Sequence, residues 1–182
     1  MYKVIALIGQ AGSGKDYLLK KVIDNSKNFS KIVSYTTRPK REKEKDGVDY
    51  FFLDKDTYLK KIKKGEMIEG TSFKNWYYGT SINALKHNKI NIGIFNPYSI
   101  KYLLSNNLID LTIYYIQASD KERLLRQLTR EDNPNVEEIV RRYSADKRDF
   151  DELKNFEYIE LKNDNLDDLD KNLKLILGKH TI

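Results

Sequence analysis

The chain has 182 residues, 40% of them hydrophobic, which indicates one globular domain with a sizeable core. It contains no cysteine, which excludes disulfide bonds and thiolate metal sites and fits a cytoplasmic location. The formal net charge of +6 suits a protein that handles polyanions, but acidic residues interrupt the basic runs, so we expect no nucleic-acid partner. The apolar runs are too short for a membrane span and lack a signal-peptide layout, so we expect no membrane partner.

The first elements are predicted to be a strand, a phosphate-binding loop and a helix. The apolar run Val4–Ile8 precedes Gly9-Gln10-Ala11-Gly12-Ser13-Gly14-Lys15-Asp16, and a helix is expected from Lys15 to about Asn25. The glycines allow backbone N–H groups to surround a polyphosphate, the helix amino terminus adds its positive dipole end, and Lys15 can reach the β- and γ-phosphates. The residues predicted to bind a nucleoside triphosphate are Gly9, Ala11, Gly12, Ser13, Gly14, Lys15 and Asp16.

Asp16 departs from the usual form of this loop. The pattern normally ends in Ser or Thr, whose hydroxyl contacts Mg²⁺, and here a carboxylate stands in that place. The loop therefore predicts a nucleotide site whose metal arrangement is open. An ordinary glycine-rich turn is the alternative, and the strand before it, the helix after it and Lys15 argue against that alternative.

The middle of the chain is predicted to form a small mixed lobe. From residue 36 to 45 the sequence is polar and basic, Asp46-Gly47 marks a turn, and Asp54 or Asp56 can cap the helix that follows. A turn is expected at residues 74–76. The predicted elements of this part are strands over 31–35, 48–53, 66–73 and 77–81 and helices over 57–64 and 82–88.

In the second half, strands and helices alternate. Strands are predicted over 90–95, 111–116 and 158–161, and helices over 99–106, 121–130, 136–150 and 167–177. Such alternation is typical of a parallel sheet with helices on both faces, so the fold class is predicted to be α/β.

Two groups of polar residues in the lobe suggest a second ligand. Ser34, Arg38, Arg41 and Tyr50 can form a fork for a phosphate group, because guanidinium groups bind phosphate oxygens in pairs. An exposed basic loop is the alternative interpretation. In the second group, a buried carboxylate at Glu69 can accept the N1–H and 2-amino hydrogens of guanine, while a hydroxyl from Tyr78 or Thr80 donates to O6. The alternative is a solvent-facing Glu69.

A third group is a set of arginines around a polar segment. Arg126 and Arg130 share one face of a predicted helix, and Arg141 and Arg142 belong to the next helix, beyond residues 131–135. They can form a lid that brings positive charge over a phosphoryl group. The alternative is that these arginines are exposed and pair with acidic neighbours, namely Glu122, Glu137 or Glu138.

Taken together, these motifs resemble the guanylate kinases over nearly the whole chain. The matching segments are Gly9 to Lys15, Ser34-Tyr35-Thr36-Thr37-Arg38 through Arg41, Asp46-Gly47 with Asp49-Tyr50-Phe51, Ile68-Glu69, and Tyr77-Tyr78-Gly79-Thr80. The resemblance implies a P-loop three-layer core with a parallel sheet flanked by helices, a small mixed α/β monophosphate-binding lobe and a helical lid. It places the core at 1–34 and 85–182, the lid at about 127–143 and the GMP-binding lobe at 35–84.

The same resemblance implies transfer of the ATP γ-phosphoryl group to GMP or dGMP, with Mg²⁺ accompanying ATP. Ser34, Arg38, Arg41, Tyr50 and Tyr78 would hold the GMP phosphate, and Glu69 with Gly79 and Thr80 would contact the guanine side of the ligand. The implied catalytic residues are Lys15, Arg38, Arg126, Arg130 and Arg142. Catalysis would need no general base, because the acceptor phosphate is already an anion near neutral pH.

In addition to Asp16, two further positions depart from the family pattern. The strand end near Ile94 and Asn96 lacks the acidic residues that these kinases usually carry. We hypothesise that Asp16 takes over the metal role, directly or through water. Two other functions stay open, a kinase for another nucleoside monophosphate and a guanylate-kinase-like module that binds a phosphorylated ligand without transferring phosphate. The oligomeric state and regulation have no readable signature in the sequence.

Overall fold

The computed structural model describes residues 1–42, 44–73, 75–130 and 132–180, apart from the side chain of Phe73. Its strands are β1 (Tyr2–Ile8), β2 (Phe29–Lys31), β3 (Tyr35–Thr36), β4 (Phe51–Phe52), β5 (Met67–Phe73), β6 (Trp76–Ser81), β7 (Ile90–Ile94), β8 (Ile109–Gln117) and β9 (Ile159–Lys162). Its helices are α1 (Lys15–Asn25), α2 (Lys55–Lys63), α3 (Pro97–Leu104), α4 (Asp120–Leu128), α5 (Val136–Asp149) and α6 (Leu166–Lys179). No described helix is long and apolar enough to cross a membrane.

The larger sheet is parallel and has the strand order β2-β7-β1-β8-β9. Side chains alternate across a strand, so Ile5 and Leu7 join the core on one face and Val4, Ala6 and Ile8 join the core on the other. Because helices cover both faces, the whole run is buried, and this explains why the sequence is continuously apolar here. The α/β class predicted from the alternation of elements is confirmed.

The smaller sheet is mixed and has the order β4-β3-β6-β5. Strand β3 pairs in parallel with β4 and antiparallel with β6, and β5 and β6 form an antiparallel pair. All four strands lie between residues 35 and 81. Our division of the chain into a core and a lobe at these points stays an interpretation.

The strand predicted over 31–35 is wrong, because this segment crosses between the two sheets. Strand β2 ends at Lys31 in the large sheet, and β3 begins at Tyr35 in the small one. Between them Ile32 N–H donates to the carbonyl of Ile92 at 2.8 Å, whereas the carbonyl of Ser34 accepts from Phe51 N–H at 2.9 Å. The backbone of Ser34 therefore already belongs to the lobe side of the crossing.

The strand predicted over 48–53 is also too long, since only β4 is extended. Before it, turns are stabilised by two carboxylates: Asp46 Oδ1 accepts from Phe52 N–H at 2.9 Å and Asp49 Oδ2 accepts from Lys45 N–H at 2.8 Å. Gly47 has φ +72°, a left-handed conformation that suits glycine. The turn at Asp46-Gly47 was predicted, but its length was not.

The helix predicted over 82–88 is a single 3-10 turn at Ile82–Ala84. Buried Asn91 explains the early end, because its Oδ1 accepts from Lys86 N–H at 2.7 Å and its Nδ2 donates to the carbonyls of Lys86 and Lys89 at 3.0 and 3.3 Å. These bonds hold the following segment in a non-helical path. Two predicted features fall partly outside the described residues, namely Lys74 of the 74–76 turn and Glu131 of the lid loop.

Candidate functional site

The glycine-rich loop connects the end of β1 to the first turn of α1. Gly12 and Gly14 have φ values of +80° and +89°, which favour glycine. A β-carbon at Gly12 would collide with the backbone of Arg123, so close packing also requires glycine there. Gly14 occupies the N-cap position and no side chain caps α1. The amino terminus of this helix therefore retains backbone N–H groups that can bind phosphate.

Lys15 and Ala11 of the loop both interact with nearby carboxylates. The Lys15 amine lies 3.5 Å from the carbonyl of Gln10, and Ala11 N–H donates to Asp146 Oδ2 at 2.6 Å. Burial lowers the pKa of the Lys15 amine, and the negative charges of Asp16 and Asp146 partly oppose this. A carboxylate from α5 thus contacts a loop whose chemistry favours anions.

Arg123 is a residue that the sequence did not single out. Its side chain is 1% exposed, and its guanidinium donates from Nε to the carbonyl of Ala11 at 3.0 Å, from Nη1 to Asp120 at 3.0 Å and from Nη2 to Asp146 at 3.4 Å. It also lies 5.3 Å from the ring of Tyr143. This one cation joins the phosphate-binding loop to both helices around the predicted lid. No sequence motif identifies Arg123, because Ala11, Asp120 and Asp146 lie far from one another in the sequence.

Arg126 also contacts the loop in this structure. Its guanidinium donates to the carbonyls of Gly12, Asn163 and Asp164 at 3.3, 2.9 and 2.7 Å. The structure therefore places it where it braces the back of the phosphate-binding loop, and its predicted catalytic role stays a prediction. Arg126 also lines a cleft of about 330 Å³ beside Gly14.

This cleft contains a polar residue that the sequence analysis missed. Asn163 lies between Ser13 and the cleft, and its Nδ2 donates to the Ser13 carbonyl at 2.8 Å. Its Oδ1 is buried and has no hydrogen-bond partner among the described residues. The remaining lining residues are Tyr17, Asp164, Asn165, Leu166 and Leu169. A flat ligand suits such a cleft, since aromatic, apolar and polar side chains line it together.

A second cleft, of about 540 Å³, joins the phosphate-binding loop to the small sheet. Gly9, Ala11 and Lys15 line one side and Glu69 lines another. Ser34, Tyr50, Tyr78, Gly79 and Arg142, all predicted site residues, line it as well. Residues from both proposed nucleotide sites therefore face one common space.

An adjoining cavity of about 840 Å³ contains other predicted residues. Asp16, Arg41 and Arg130 line it, together with Ser34 and Tyr50, which also line the second cleft. Asp16 is exposed in the first turn of α1 and faces this cavity. The cavity thus extends the common space toward the lid and the basic loop.

Arg38 is engaged by a carboxylate of its own loop. Its Nη1 donates to Glu44 Oε2 at 2.7 Å, its Nη2 contacts Oε1 of the same carboxylate, and its guanidinium lies 5.3 Å from the ring of Tyr50. This paired contact lowers the pKa of Glu44 from 4.5 to about 2. The guanidinium of Arg38 is therefore fixed beside Tyr50, and its place in a phosphate fork rather than an exposed basic loop stays a prediction.

Glu69 is buried, as the base-reading interpretation requires. Its side chain accepts a hydrogen bond from Ser99 Oγ at 2.6 Å. Thr80 is fully buried, and its hydroxyl lies 3.0 Å from Ser34 Oγ and also bonds to Glu69, so it faces these two residues rather than lining the cleft. The rings of Tyr50 and Tyr78 meet edge to face at 6.2 Å.

The arginines of α5 pair with an acid, as the alternative interpretation proposed. Glu138 accepts from Arg141 at 2.8 Å and from Arg142 at 2.9 Å, and these contacts lower the pKa of Glu138 to about 2. Both arginines nevertheless line the second cleft. Their guanidinium groups can bind an anion in this cleft while they stay paired with Glu138.

The strand end that lacks the expected acids has a structural role. Ile94 lines both large cavities, and Asn96 caps α3 by accepting from Ser99 N–H at 2.9 Å. Across the part of the chain that the structure describes, no group of three or more His, Asp and Glu residues could hold a metal ion by itself.

Comparison with known proteins agrees with this geometry. The family model described as guanylate kinase matches residues 1–180. The chain belongs to the guanylate kinase family. A curated guanylate kinase from Mycoplasma genitalium is 31% identical over 181 residues, covering 96% of this chain and 75% of the relative. This guanylate kinase family member is also 36% identical to MAGUK p55 subfamily member 7 of Xenopus tropicalis, over 68% of the chain and 22% of the relative.

The fold of the family member is also that of a solved structure. The crystal structure of guanylate kinase from Anaplasma phagocytophilum superposes with a TM-score of 0.69 at 20% identity, covering 100% of this chain and 88% of that chain. At this identity the likeness shows the fold. The P-loop core predicted from the resemblance is thereby confirmed.

Replacing Arg123 with Leu should destabilise the protein and loosen the phosphate-binding loop. Removing the guanidinium takes the charged partner from Asp146 and the 3.0 Å donor from the Ala11 carbonyl, so we expect the free energy of unfolding to fall by about 3 kcal/mol. Urea denaturation measures this. Lys154→Leu, which removes an exposed pair with Asp151, is the control and should have little effect. Equal effects of the two changes would contradict a bracing role for Arg123.

The Arg38–Glu44 pair should make stability depend on acid pH. The folded-state pKa of Glu44 is depressed from 4.5 to about 2, so its stabilisation is complete above pH 4.5 and is lost as pH falls toward 2. Thermal unfolding between pH 5 and pH 2 should show a smaller loss of stability for Glu44→Gln than for the unmodified protein. Parallel curves for the two proteins would show that the pair does not stabilise the fold.

Proposed function

We propose that this protein transfers the γ-phosphoryl group of ATP to the phosphate of GMP, forming ADP and GDP, with dGMP as a second possible acceptor. The observation that carries the proposal is the second cleft, in which the phosphate-binding loop and the buried Glu69 face one space. A donor triphosphate on the loop and an acceptor base on Glu69 would bring their phosphates together between them. Positioning of this kind is the main part of phosphoryl-transfer catalysis.

The donor ATP would bind along the glycine-rich loop. Backbone N–H groups from Gly12 to Asp16 and the Lys15 amine would hold the β- and γ-phosphates. The base would enter the 330 Å³ cleft beside Gly14, where the guanidinium of Arg126 offers a planar surface. Asn163 would support this part of the site by holding the loop through its hydrogen bond to the Ser13 carbonyl.

The acceptor GMP would bind between the small sheet and the loop. Ser34, Arg38, Arg41, Tyr50 and Tyr78 would hold its phosphate, as expected from the sequence. Glu69 would accept the N1–H and 2-amino hydrogens of guanine, and Gly79 would line the site beside it. Thr80 would act on the base through a change of hydrogen bonding, since its hydroxyl contacts Ser34 without ligand.

The reaction breaks the bond between the γ-phosphorus and the β,γ-bridging oxygen and forms one to an oxygen of the GMP phosphate. The acceptor oxygen is already anionic, so no residue has to remove a proton. The main obstacle is repulsion between two polyanions. Lys15, Arg130 and Arg142 would offset this repulsion, since they line the cavities on the path between the phosphates.

Mg²⁺ would accompany ATP, and Asp16 is the carboxylate that fits this role. It faces the cavity next to Lys15, and Mg²⁺ on a nucleotide takes one or two protein carboxylates with the rest of its ligands from phosphate and water. When bound, the ion neutralises charge on the β- and γ-phosphates. In the protein itself, Asp16 contributes the ligand and also opposes the lowering of the Lys15 pKa.

The alternatives make different demands on the same clefts. A kinase for another monophosphate would use the loop but not the Glu69 pairing with guanine, and a binding module would use the phosphate fork without ATP. The intact Gly12, Gly14 and Lys15 support the enzyme. A cytoplasmic location stays an expectation from the cysteine-free sequence.

Turnover should show a guanine preference that depends on Glu69. With GMP, dGMP, AMP and dTMP as acceptors, kcat/KM in a coupled ADP assay should be highest for the two guanine nucleotides. Glu69→Gln should lower kcat/KM for GMP by roughly ten- to hundredfold, because a hydrogen bond to a charged group is lost. Glu66→Gln, three residues earlier, is the matched control.

Two results would contradict this function. A guanine preference that survives Glu69→Gln would remove Glu69 from base recognition. Absence of ADP formation with every acceptor, alongside binding of GMP, would favour the binding module.

Removing the carboxylate of Asp16 should weaken the dependence on Mg²⁺. In Asp16→Ala we expect the Mg²⁺ concentration for half-maximal activity to rise about tenfold, as for loss of a residue that contacts or orients a metal. Calorimetric ATP binding with and without Mg²⁺ gives a readout that is independent of turnover. Asp167→Ala, an acid in the first turn of α6, serves as the control. An unchanged Mg²⁺ curve would exclude Asp16 from metal binding.

A further inference from the structure

Glu69 is held by two elements of the structure. It lies in β5, and its side chain is 7% exposed at the inner wall of the second cleft. A buried carboxylate is costly unless hydrogen bonds satisfy its oxygens. Burial raises the pKa of Glu69, and hydrogen bonds from Ser99 and Thr80 oppose that rise. The partners of this carboxylate therefore set its orientation and favour its charged form against the effect of burial.

Of these two partners, Ser99 lies in helix α3 and Thr80 lies in strand β6. Ser99 lies in the first turn of α3, it is 3% exposed, and its Oγ is 2.6 Å from Glu69 Oε2 and 3.1 Å from Asn96 Oδ1. A hydroxyl has one proton to donate, and Asn96 Oδ1 already accepts from Ser99 N–H. Hydrogen bonds to carboxylates are shorter and stronger than those to amides, so the proton goes to Glu69.

The position of this hydroxyl is fixed by the start of the helix. Asn96 caps α3 through Ser99 N–H, and Pro97 occupies the first helical turn, where its fixed φ suits the helix. Ser99 is thus placed by a rigid element that follows β7 of the large sheet, while Glu69 belongs to the small sheet. The contact joins the acceptor lobe to the core at the base-binding carboxylate.

We propose that Ser99 is a positioning residue for base recognition, whose hydroxyl orients the Glu69 carboxylate toward a purine that carries a ring N–H and an adjacent amino group. The inference rests on the proposed function, in which Glu69 reads guanine. The last torsion of a glutamate is broad, so the orientation of the carboxylate depends on the hydrogen bonds that it accepts, here from Ser99 and Thr80. With Oε2 held by Ser99, Oε1 and the second lone pair of Oε2 are presented in one plane, as the N1–H and 2-amino hydrogens require.

The test compares GMP with inosine monophosphate, which lacks the 2-amino group. In Ser99→Ala we expect KM for GMP to rise about tenfold with kcat changed less than about twofold, since one charge-assisted hydrogen bond is lost. The preference for GMP over inosine monophosphate should fall with it. Ser99→Cys has a similar volume and a weaker donor, so it should change both values in the same direction.

Ser105→Ala is the matched control, because it lies at the other end of α3 and its exposed hydroxyl donates to the carbonyl of Tyr102 at 3.0 Å. It should leave both kinetic values unchanged. Circular dichroism during heating establishes that each variant is folded.

The outcomes separate this inference from the proposed function. If Glu69→Gln weakens GMP binding and both Ser99 variants keep the KM and the nucleotide preference, the positioning role is overturned while the function stands. A loss of kcat and stability without a change in the nucleotide preference also overturns it, since that is the result of a purely structural contact. If Glu69→Gln leaves the guanine preference intact, the base assignment fails and this inference fails with it.

Discussion

The buried guanidinium of Arg123 is the contact on which the site depends. A charge that is 1% exposed must be fully paired, and Arg123 satisfies this demand by binding the Ala11 carbonyl together with Asp120 and Asp146. The same Asp146 accepts from Ala11 N–H. This cluster of charged residues therefore binds both the N–H and the carbonyl of Ala11, and it links the loop to α4 and α5. A movement of those helices would therefore displace the phosphate-binding loop directly.

The second constraint is the crossing between the two sheets at residues 32–34. Because the backbone leaves the parallel sheet there, the small sheet stands beside the carboxyl ends of the large one, where open α/β sheets bind ligands. Ser34 lies at the crossing and contacts Thr80, and Ser99 at the start of α3 contacts Glu69. A hydroxyl at the crossing and a hydroxyl from α3 thus contact two residues of the small sheet.

Acidic partners hold the site arginines in defined positions. Arg38 is paired with Glu44, and Arg141 and Arg142 are paired with Glu138, so none of them has to be ordered from a freely moving state when an anion arrives. These acids cancel part of the positive charge that the arginines would bring to the phosphates. Lys15 in the loop and Arg130 on the lid side would supply positive charge in its place. A balance of this kind would suit the proposed site, which has to bind two polyanions and then release them.

The sequence by itself determined the phosphate-binding loop, the α/β class and the family, because these follow from local spacing and residue chemistry. The sites around Glu69 and Arg38 stay predictions. The sequence could not show where Ser34 changes sheets, why the helix after β6 stops at one turn, or which arginine braces the loop. Those features depend on Ile92, Asn91 and Asp146, whose contacts join residues distant in the chain. Only the tertiary structure decided them, since a buried polar group is satisfied by whichever partner the fold brings near.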